Sequence, residues 1–131
     1  MQNLRYVGNN LFVEKLSIKN ILKKNKTPFY IYSESQIAFN FLKFANTFKK
    51  TDPLICFAAK SNSNLNILRV LGKLGAGADV VSGGELLKAL KAGIRPNKIV
   101  FSGVGKTEEE LKIAISKKIL LINCESEREA K

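Results

Sequence analysis

Strand-like and helix-like patterns of apolar residues alternate along the second half of the chain, with a period of a little over twenty residues. The expected strands begin near Leu54, Gly77, Lys98 and Ile119. Strands and helices that alternate at so short a period are typical of consecutive βα units and a parallel sheet. The pattern therefore predicts an α/β fold with about four βα repeats, either an open sheet or a partial (β/α)8 TIM barrel.

Three amphipathic helices are expected between these strands, each with apolar residues spaced three or four apart. Their apolar positions are Leu65, Leu68, Leu71 and Leu74 in the first, Leu86, Leu87 and Leu90 in the second, and Leu111, Ala114 and Ile115 in the third. The third opens with the capping box Thr107-x-x-Glu110. Such a box satisfies two of the free N–H groups at a helix start, so it marks where that helix begins.

The run of residues 54–60 is expected to form the first strand of the sheet, buried on both faces. Because side chains alternate along a strand, Lys60 is expected to share a face with Ala58 and Cys56. Lys60 then stands at the carboxyl end of a buried parallel strand, where α/β folds carry their chemistry. Asp79 is expected on the next strand, where a carboxylate beside a lysine can position its ammonium group.

The first fifty residues do not follow the repeat. Residues 11–14 predict a weak strand, residues 17–24 a short helix, and the aromatic residues 29–32 a strand. The capping box Ser33-x-x-Gln36 then opens a longer helix that is expected to end near Lys50. Its apolar stripe, which is expected to pack in the core, consists of Ile37, Phe41, Phe44 and Phe48.

Composition narrows the class of partner. The formal net charge is +11, but the lysines are spread along the chain and no aromatic residues interleave with their densest run, residues 23–26. That pattern favours solvated helix faces over nucleic-acid binding. No apolar run approaches the roughly 18 residues that span a bilayer. Cys56 and Cys124 fall in or at the end of predicted strands, which favours a reduced cytoplasmic protein. The chain has no histidine, which excludes a Cys/His zinc site.

Three motifs carry a resemblance to a known family. Residues 57–64 (FAAKSNSN), 77–86 (GADVVSGGEL) and 101–107 (FSGVGKT) resemble, in this order, the amino-terminal part of diaminopimelate decarboxylase. The similarity runs from about Thr27 to the end and would cover about the first third of a family member. It implies a pyridoxal-phosphate enzyme of the alanine-racemase-like fold, which combines an eight-stranded barrel with a β-domain. Residues 1–33 would belong to the β-domain and residues 34–131 to the first half of the cofactor-binding barrel.

The resemblance also implies roles for single residues. Lys60 matches the lysine that forms the Schiff base with pyridoxal 5'-phosphate, and Asp79 and Glu85 match acids near that lysine. Glu85 has a second interpretation, since Ser82-x-x-Glu85 is itself a capping box. A neutral amine is needed for the reaction, and burial favours the neutral form of a lysine. The implied activity converts meso-2,6-diaminopimelate to L-lysine and CO2, in a cytoplasmic homodimer with a small amino-acid substrate and neither nucleic acid nor membrane as partner.

Several parts of the family's site are not expected within this chain. The family places a histidine, a glycine-rich phosphate cradle and a glutamate at the ring nitrogen further along, and takes a cysteine from the partner subunit. Residues 125–131 resemble the first turn of another helix, which predicts a fragment of a longer protein, inactive alone. The alternatives are a related ornithine- or arginine-type decarboxylase, and an inactive fragment that binds pyridoxal phosphate or a protein partner.

Overall fold

The computed structural model describes residues 3–130, and two separate β-sheets organise them. The amino-terminal elements are β1 (Leu4–Val7), β2 (Asn10–Val13), β3 (Leu16–Ser17), α1 (Ile18–Leu22) and α2 (Glu34–Thr47). The elements that follow are β4 (Cys56–Ala58), α3 (Leu65–Lys73), β5 (Gly77–Val80), α4 (Gly83–Lys91), β6 (Ile99–Phe101), α5 (Glu108–Ser116) and β7 (Leu121–Ile122). The first sheet is antiparallel, with the order β1-β2-β3.

The second sheet is parallel, and its strands lie in chain order, β4-β5-β6-β7. Ala58 pairs with Asp79, and Asp79 pairs in turn with Val100. Each strand reaches the next through a helix on one face of the sheet, which is the connection that parallel strands require. This arrangement confirms the predicted α/β fold and is consistent with part of a (β/α)8 barrel.

Side-chain caps fix where the helices start. The hydroxyl or amide oxygen of the residue before each helix accepts a backbone N–H from its first turn, and these cap residues are Ser17, Ser33, Asn64, Ser82 and Thr107. Such a cap contributes about 1 kcal/mol. The predicted box at Thr107 is complete, because the Glu110 carboxylate also accepts the Thr107 N–H at 3.0 Å. The helix starts were therefore readable from the sequence.

The core lies between the parallel sheet and its helices. The strand residues that face the helices are fully buried, and they are Ala78, Val80, Ile99 and Phe101. They pack against Leu68, Leu86, Ala89 and Ala114 of the helices. Removing the ring of a residue buried like Phe101 costs about 3–5 kcal/mol. The opposite face of the sheet carries Cys56, Ala58 and Asp79.

Gly77, the first residue of β5, packs tightly between its two neighbouring strand segments. A Cβ atom placed on it would lie 2.3 Å from the Lys98 carbonyl oxygen and 2.7 Å from the Cys56 Sγ. Real Cβ atoms do not approach a backbone oxygen so closely, so only glycine fits this position without moving the neighbouring strands.

The first strand of the parallel sheet is shorter than predicted. It covers Cys56–Ala58, is only half-buried, and gives way to a 3₁₀ turn, Ala59–Ser61. The cause is local: the Ser61 hydroxyl donates to the Ala58 carbonyl at 2.7 Å, and the Asn62 N–H donates to the Ala59 carbonyl at 3.1 Å. These bonds take the carbonyl groups that would have continued the strand.

Residues 29–32 do not form the predicted strand. No strand of residues 3–130 pairs with them, and Tyr30 is 89% exposed. A β-branched and aromatic run forms a strand only where a neighbouring strand supplies the backbone partners.

The apolar stripe of α2 is only partly a core stripe. Ile37 and Phe41 pack against the cluster around Ile67 and Leu71. Phe44 and Phe48, one turn and two turns further on, are 55% and 42% exposed, and α2 ends at Thr47, before the predicted Lys50. The expectation of a continuous core stripe was therefore wrong for its second half. Leu87 and Ile115 were also misassigned, since both are more than half exposed.

A hydrogen-bond cluster joins the antiparallel sheet to the start of α2. Oε1 of Glu14 accepts the Ser33 hydroxyl at 2.7 Å, the Ser35 hydroxyl at 2.8 Å and the Ser35 N–H at 3.0 Å. These bonds, that of the Ser33 hydroxyl above all, lower the pKa of the Glu14 carboxyl. The carboxylate thus satisfies donors at the positive end of α2, where negative charge is favoured.

Candidate functional site

Lys60 stands at the carboxyl edge of the parallel sheet. It lies in the middle of the 3₁₀ turn that follows β4, and its side chain is exposed. No carboxylate of residues 3–130 forms an ion pair with its ammonium group. Lys60 therefore lies within one turn of the predicted strand end. Residues 3–130 do not bury its side chain, although a partly buried lysine was expected.

Asp79 lies on the adjacent strand and faces away from the helices. Its register partner is Ala58, two residues before Lys60, and its chain neighbours Ala78 and Val80 are buried on the helix side. The Oδ1 atom of Asp79 is buried and has no hydrogen-bond donor among residues 3–130. A buried acceptor without a donor is costly, so this oxygen is suited to receive a donor from a ligand or from another part of the protein.

Cys56 shares this face with Asp79. Its thiol donates to the Lys98 carbonyl at a sulfur–oxygen distance of 3.8 Å, and both cysteines of the chain are free. Burial raises the pKa of the Cys56 thiol; the negative charge of Asp79 raises it further, while Lys98 acts in the opposite sense. The thiol is thus kept in its neutral form beside the Asp79 carboxylate.

Glu85 holds the turn that follows β5. Its backbone N–H donates to the Ser82 hydroxyl at 3.2 Å, and its Oε2 accepts the Val81 N–H at 2.9 Å. The predicted capping box is only half formed, because the carboxylate bonds to Val81 rather than to the cap residue Ser82. Glu85 therefore fixes the backbone two residues beyond Asp79.

The start of α4 is closed by a carboxylate from the next repeat. Oε1 of Glu110 accepts the Gly83 N–H at 2.6 Å. A Cβ on Gly83 would lie 2.9 Å from the Glu110 Cγ, so glycine leaves the space that the carboxylate occupies. Helix N-termini commonly bind phosphate through such N–H groups, but here the protein itself uses those of Val81, Gly83 and Glu85.

Lys106 is the second lysine near a strand's carboxyl end, and its surroundings differ completely from those of Lys60. Its side chain is 0% exposed, and its Nζ lies 2.6 Å from Oε1 of Glu129. The ammonium also donates to the Gly103 carbonyl and lies 5.9 Å from the centre of the Phe101 ring. The Lys106 ammonium is thus held inside the loop after β6 by its hydrogen bonds to Glu129 and Gly103.

Sequence reasoning missed two carboxylates at this edge, Glu110 as a link between repeats and Glu129 as the partner of Lys106. The sequence carries a signal for the position of both carboxylates, but none for the groups that they bind. The spacing Ser/Thr-x-x-Glu occurs at Ser82, at Thr107 and again at Ser126, once in each successive repeat. In the last case the Glu129 N–H donates to the Ser126 hydroxyl at 3.3 Å.

Relatives of this chain are found among decarboxylases. The diaminopimelate decarboxylase of Aquifex aeolicus is 48% identical over 126 residues, which are 96% of this chain and 30% of the relative. The chain thus spans less than a third of the length of this relative. The crystal structure of a diaminopimelate decarboxylase from M. jannaschii in complex with L-lysine superposes with a TM-score of 0.88 at 36% identity, covering 94% of this chain and 30% of that one.

A more distant structure shares the fold alone. The arginine decarboxylase of the Paramecium bursaria Chlorella virus superposes with a TM-score of 0.73 at 23% identity, covering 86% of this chain and 30% of that one. Residues 34–131 match the family model described as pyridoxal-dependent decarboxylase, pyridoxal binding domain. Because this match spans most of the sequence, the chain belongs to the pyridoxal-dependent decarboxylase family, whose pyridoxal binding domain it matches from α2 onwards.

Proposed function

We propose that this chain is the amino-terminal part of a diaminopimelate decarboxylase, which converts meso-2,6-diaminopimelate to L-lysine and CO2. The observation that carries the proposal is the exposed ammonium group of Lys60 at the carboxyl edge of the sheet, next to the strand on which the buried Oδ1 of Asp79 has no donor among the described residues. The identity of 48% to a diaminopimelate decarboxylase over nearly the whole chain supports the choice of substrate.

The residues at this edge fit pyridoxal phosphate in part. Lys60 offers an exposed amine for covalent attachment, and Oδ1 of Asp79 is a buried acceptor without a donor among residues 3–130. At the start of α4, the N–H groups of Val81, Gly83 and Glu85 are bonded to side chains of the protein, so these three donors are not available to the phosphate group. The cofactor, when bound, supplies an electron-accepting ring for the electrons left as the α-carboxylate departs.

Each of the three site residues is given a role in this proposal. Lys60 is the attachment point for the cofactor. Asp79 accepts a hydrogen bond at the same edge and holds positive charge there, because an ionised carboxylate favours a nearby cation. Glu85 is a positioning residue, since its carboxylate bonds the Val81 N–H and so fixes the end of the strand that carries Asp79.

Domain division, assembly and location are further parts of the proposal. We assign residues 1–33 to a β-domain and residues 34–131 to the barrel; the separate sheets and the start of the family match at residue 34 support this division. A homodimer in the cytoplasm is the expected form, and the two free thiols agree with a reducing compartment. Within residues 3–130, every helix is too short or too polar to cross a membrane.

The alternatives are less well supported. A related ornithine- or arginine-type decarboxylase is supported at the level of the fold, by the likeness to the viral arginine decarboxylase at 23% identity. An inactive fragment that binds the cofactor or a protein partner would need no turnover at all. Both are distinguished from the main proposal by the products formed.

The decisive experiment uses the full-length protein that contains this chain, loaded with pyridoxal phosphate. We expect L-lysine and CO2 from meso-diaminopimelate, and a loss of at least about 10²-fold in kcat for Lys60→Ala, since one positioned group commonly contributes that much. Lys91→Ala, an exposed lysine of α4, is the matched control and should keep full activity. Turnover of ornithine or arginine instead, or equal activity of Lys60→Ala and the control, would contradict the proposal.

A further inference from the structure

Glu129 compensates a charge that is otherwise enclosed. Its Oε1 atom is buried, and within residues 3–130 the Lys106 ammonium at 2.6 Å is its only polar partner. Its Oε2 accepts the Glu125 N–H at 2.7 Å, which keeps the carboxylate aimed at Lys106. The Glu125 N–H and the Lys106 ammonium together lower the pKa of the Glu129 carboxyl. Each partner of the ion pair is thus held by a second hydrogen bond: Glu129 by the Glu125 N–H and Lys106 by the Gly103 carbonyl.

Lys60 and Lys106 differ in how accessible their amine nitrogens are for reaction. A lysine reacts with an aldehyde only when its nitrogen has a free lone pair and is within reach of the reagent. The nitrogen then bonds to the aldehyde carbon, and the carbonyl oxygen leaves as water with the two protons of the amine. The exposed Lys60 meets these requirements after losing one proton, whereas Lys106 is enclosed and donates to a carboxylate and a carbonyl.

We propose that Glu129 is a specificity-determining residue, which withdraws Lys106 from reaction with the cofactor aldehyde and so leaves Lys60 as the reactive lysine of the two. The identity of the aldehyde rests on the proposed function, but the protection of Lys106 does not. Without the Glu129 charge, the buried ammonium group has no ion-pair partner in the described part of the chain, and an unpaired buried charge is costly. It then either loses its proton or moves into water, and both changes make its nitrogen more reactive.

The first test needs no cofactor. The full-length protein is treated with an acetylating reagent at low extent of reaction, and the rates at Lys60 and Lys106 are read by peptide mass spectrometry. We expect Lys106 to react at least about tenfold more slowly than Lys60 in the wild type, because its nitrogen is enclosed away from the reagent and donates to Glu129 and to the Gly103 carbonyl. Glu129→Gln should raise the rate at Lys106 by about tenfold or more, while Glu127→Gln, an exposed carboxylate in the same turn, should leave it unchanged.

The second test uses pyridoxal phosphate, followed by borohydride, which delivers hydride to the new carbon–nitrogen double bond and fixes the label. We expect one labelled lysine, Lys60, in the wild type and in Glu127→Gln, and a second label at Lys106 in Glu129→Gln. Failure to label Lys60 in the wild type would contradict the proposed function. The acetylation rates would still test whether Glu129 protects Lys106.

Three results would overturn the inference. One is equal acetylation of Lys60 and Lys106 in the wild type, which is decisive even if Glu129→Gln does not fold. The others are an unchanged Lys106 acetylation rate in a folded Glu129→Gln protein, and the absence of a Lys106 label in that protein when Lys60 is labelled.

Discussion

The turn after β4 and the loop after β6 occupy equivalent places in the repeat, yet the protein treats their lysines in opposite ways. The turn after β4 is closed by its own Ser61 and Asn62, and leaves Lys60 exposed. The loop after β6 is tied to the following repeat by Lys106–Glu129 and by the Asn123 amide, which donates to the Ser102 hydroxyl at 2.9 Å. The βα units thus share a common backbone arrangement. Contacts with side chains of the next repeat determine whether the lysine of a loop is enclosed or exposed.

The loop after β5 shows how such a tie is made without a lysine. There Glu110 of the next repeat bonds directly to the Gly83 N–H. Backbone donors, like ammonium groups, are expensive to bury without a partner. A carboxylate from the following repeat serves both kinds of donor.

The largest effect on stability is expected from breaking the enclosed ion pair. Lys106→Met keeps most of the side-chain volume but leaves Oε1 of Glu129 without its partner, so the apparent Tm of the full-length protein should fall by about 3 °C or more. The control is Lys112→Met, which removes the ion pair with Glu108 on the surface of α5, where both side chains are at least 70% exposed. Exposed pairs contribute little, so this Tm should stay within about 1 °C.

Scanning fluorimetry of the two variants in one buffer provides the comparison. Equal Tm values for Lys106→Met and Lys112→Met would mean that the loop after β6 is not held by its lysine.

A smaller effect is expected at the glycine that makes room for Glu110. Gly83→Ala places a Cβ 2.9 Å from the Glu110 Cγ, which pushes the carboxylate off the Gly83 N–H and should lower the Tm by about 2 °C. Gly84→Ala adds the same methyl group, but its nearest heavy atom would be the Ser82 Oγ at 3.9 Å. In a helix, alanine is favoured over glycine, so this control should keep or raise the Tm. If the Tm falls as much in Gly84→Ala as in Gly83→Ala, the loss of stability does not come from the contact between Glu110 and Gly83.

The smallest effect is expected in the pH dependence of stability. The N–H groups of Thr107 and Gly83 lower the pKa of the Glu110 carboxyl from its ordinary value of 4.5. A carboxyl with a lowered pKa stabilises the folded state fully above pH 4.5 and loses that contribution as the pH falls through the lowered pKa. The Tm difference between wild type and Glu110→Gln should thus be about 1 °C near pH 7 and shrink below pH 4. A difference that grows towards acid would contradict this assignment.

The parts of the fold that depend on nearby residues were predictable. The caps at Ser33, Thr107 and Ser82 act over three residues, so the helix starts follow from the sequence. The four strands of the parallel sheet were also predicted, because buried strands are bounded by helix patterns on both sides. The placement of Lys60 and Asp79 at one edge follows from that topology alone.

The parts that depend on distant partners were not predictable. Lys106 and Glu129 come from different repeats, and nothing in the local pattern of either indicates the other. Phe44 and Phe48 have the spacing of a core stripe, but both side chains stay more than 40% exposed. Residues 29–32 likewise have strand composition without a strand to pair with. In each case the local sequence identifies a residue that can form a contact, but the partner comes from a distant part of the chain and depends on the fold.

Gly77 has a consequence for the variation that this protein tolerates. Every single-base change in a glycine codon that alters the amino acid either introduces a Cβ or stops translation. At this position any Cβ meets the Lys98 carbonyl, which is backbone and stays the same whatever residue occupies position 98. No second substitution at that neighbour can make room, so β5 and the backbone just before β6 stay locked in their spacing.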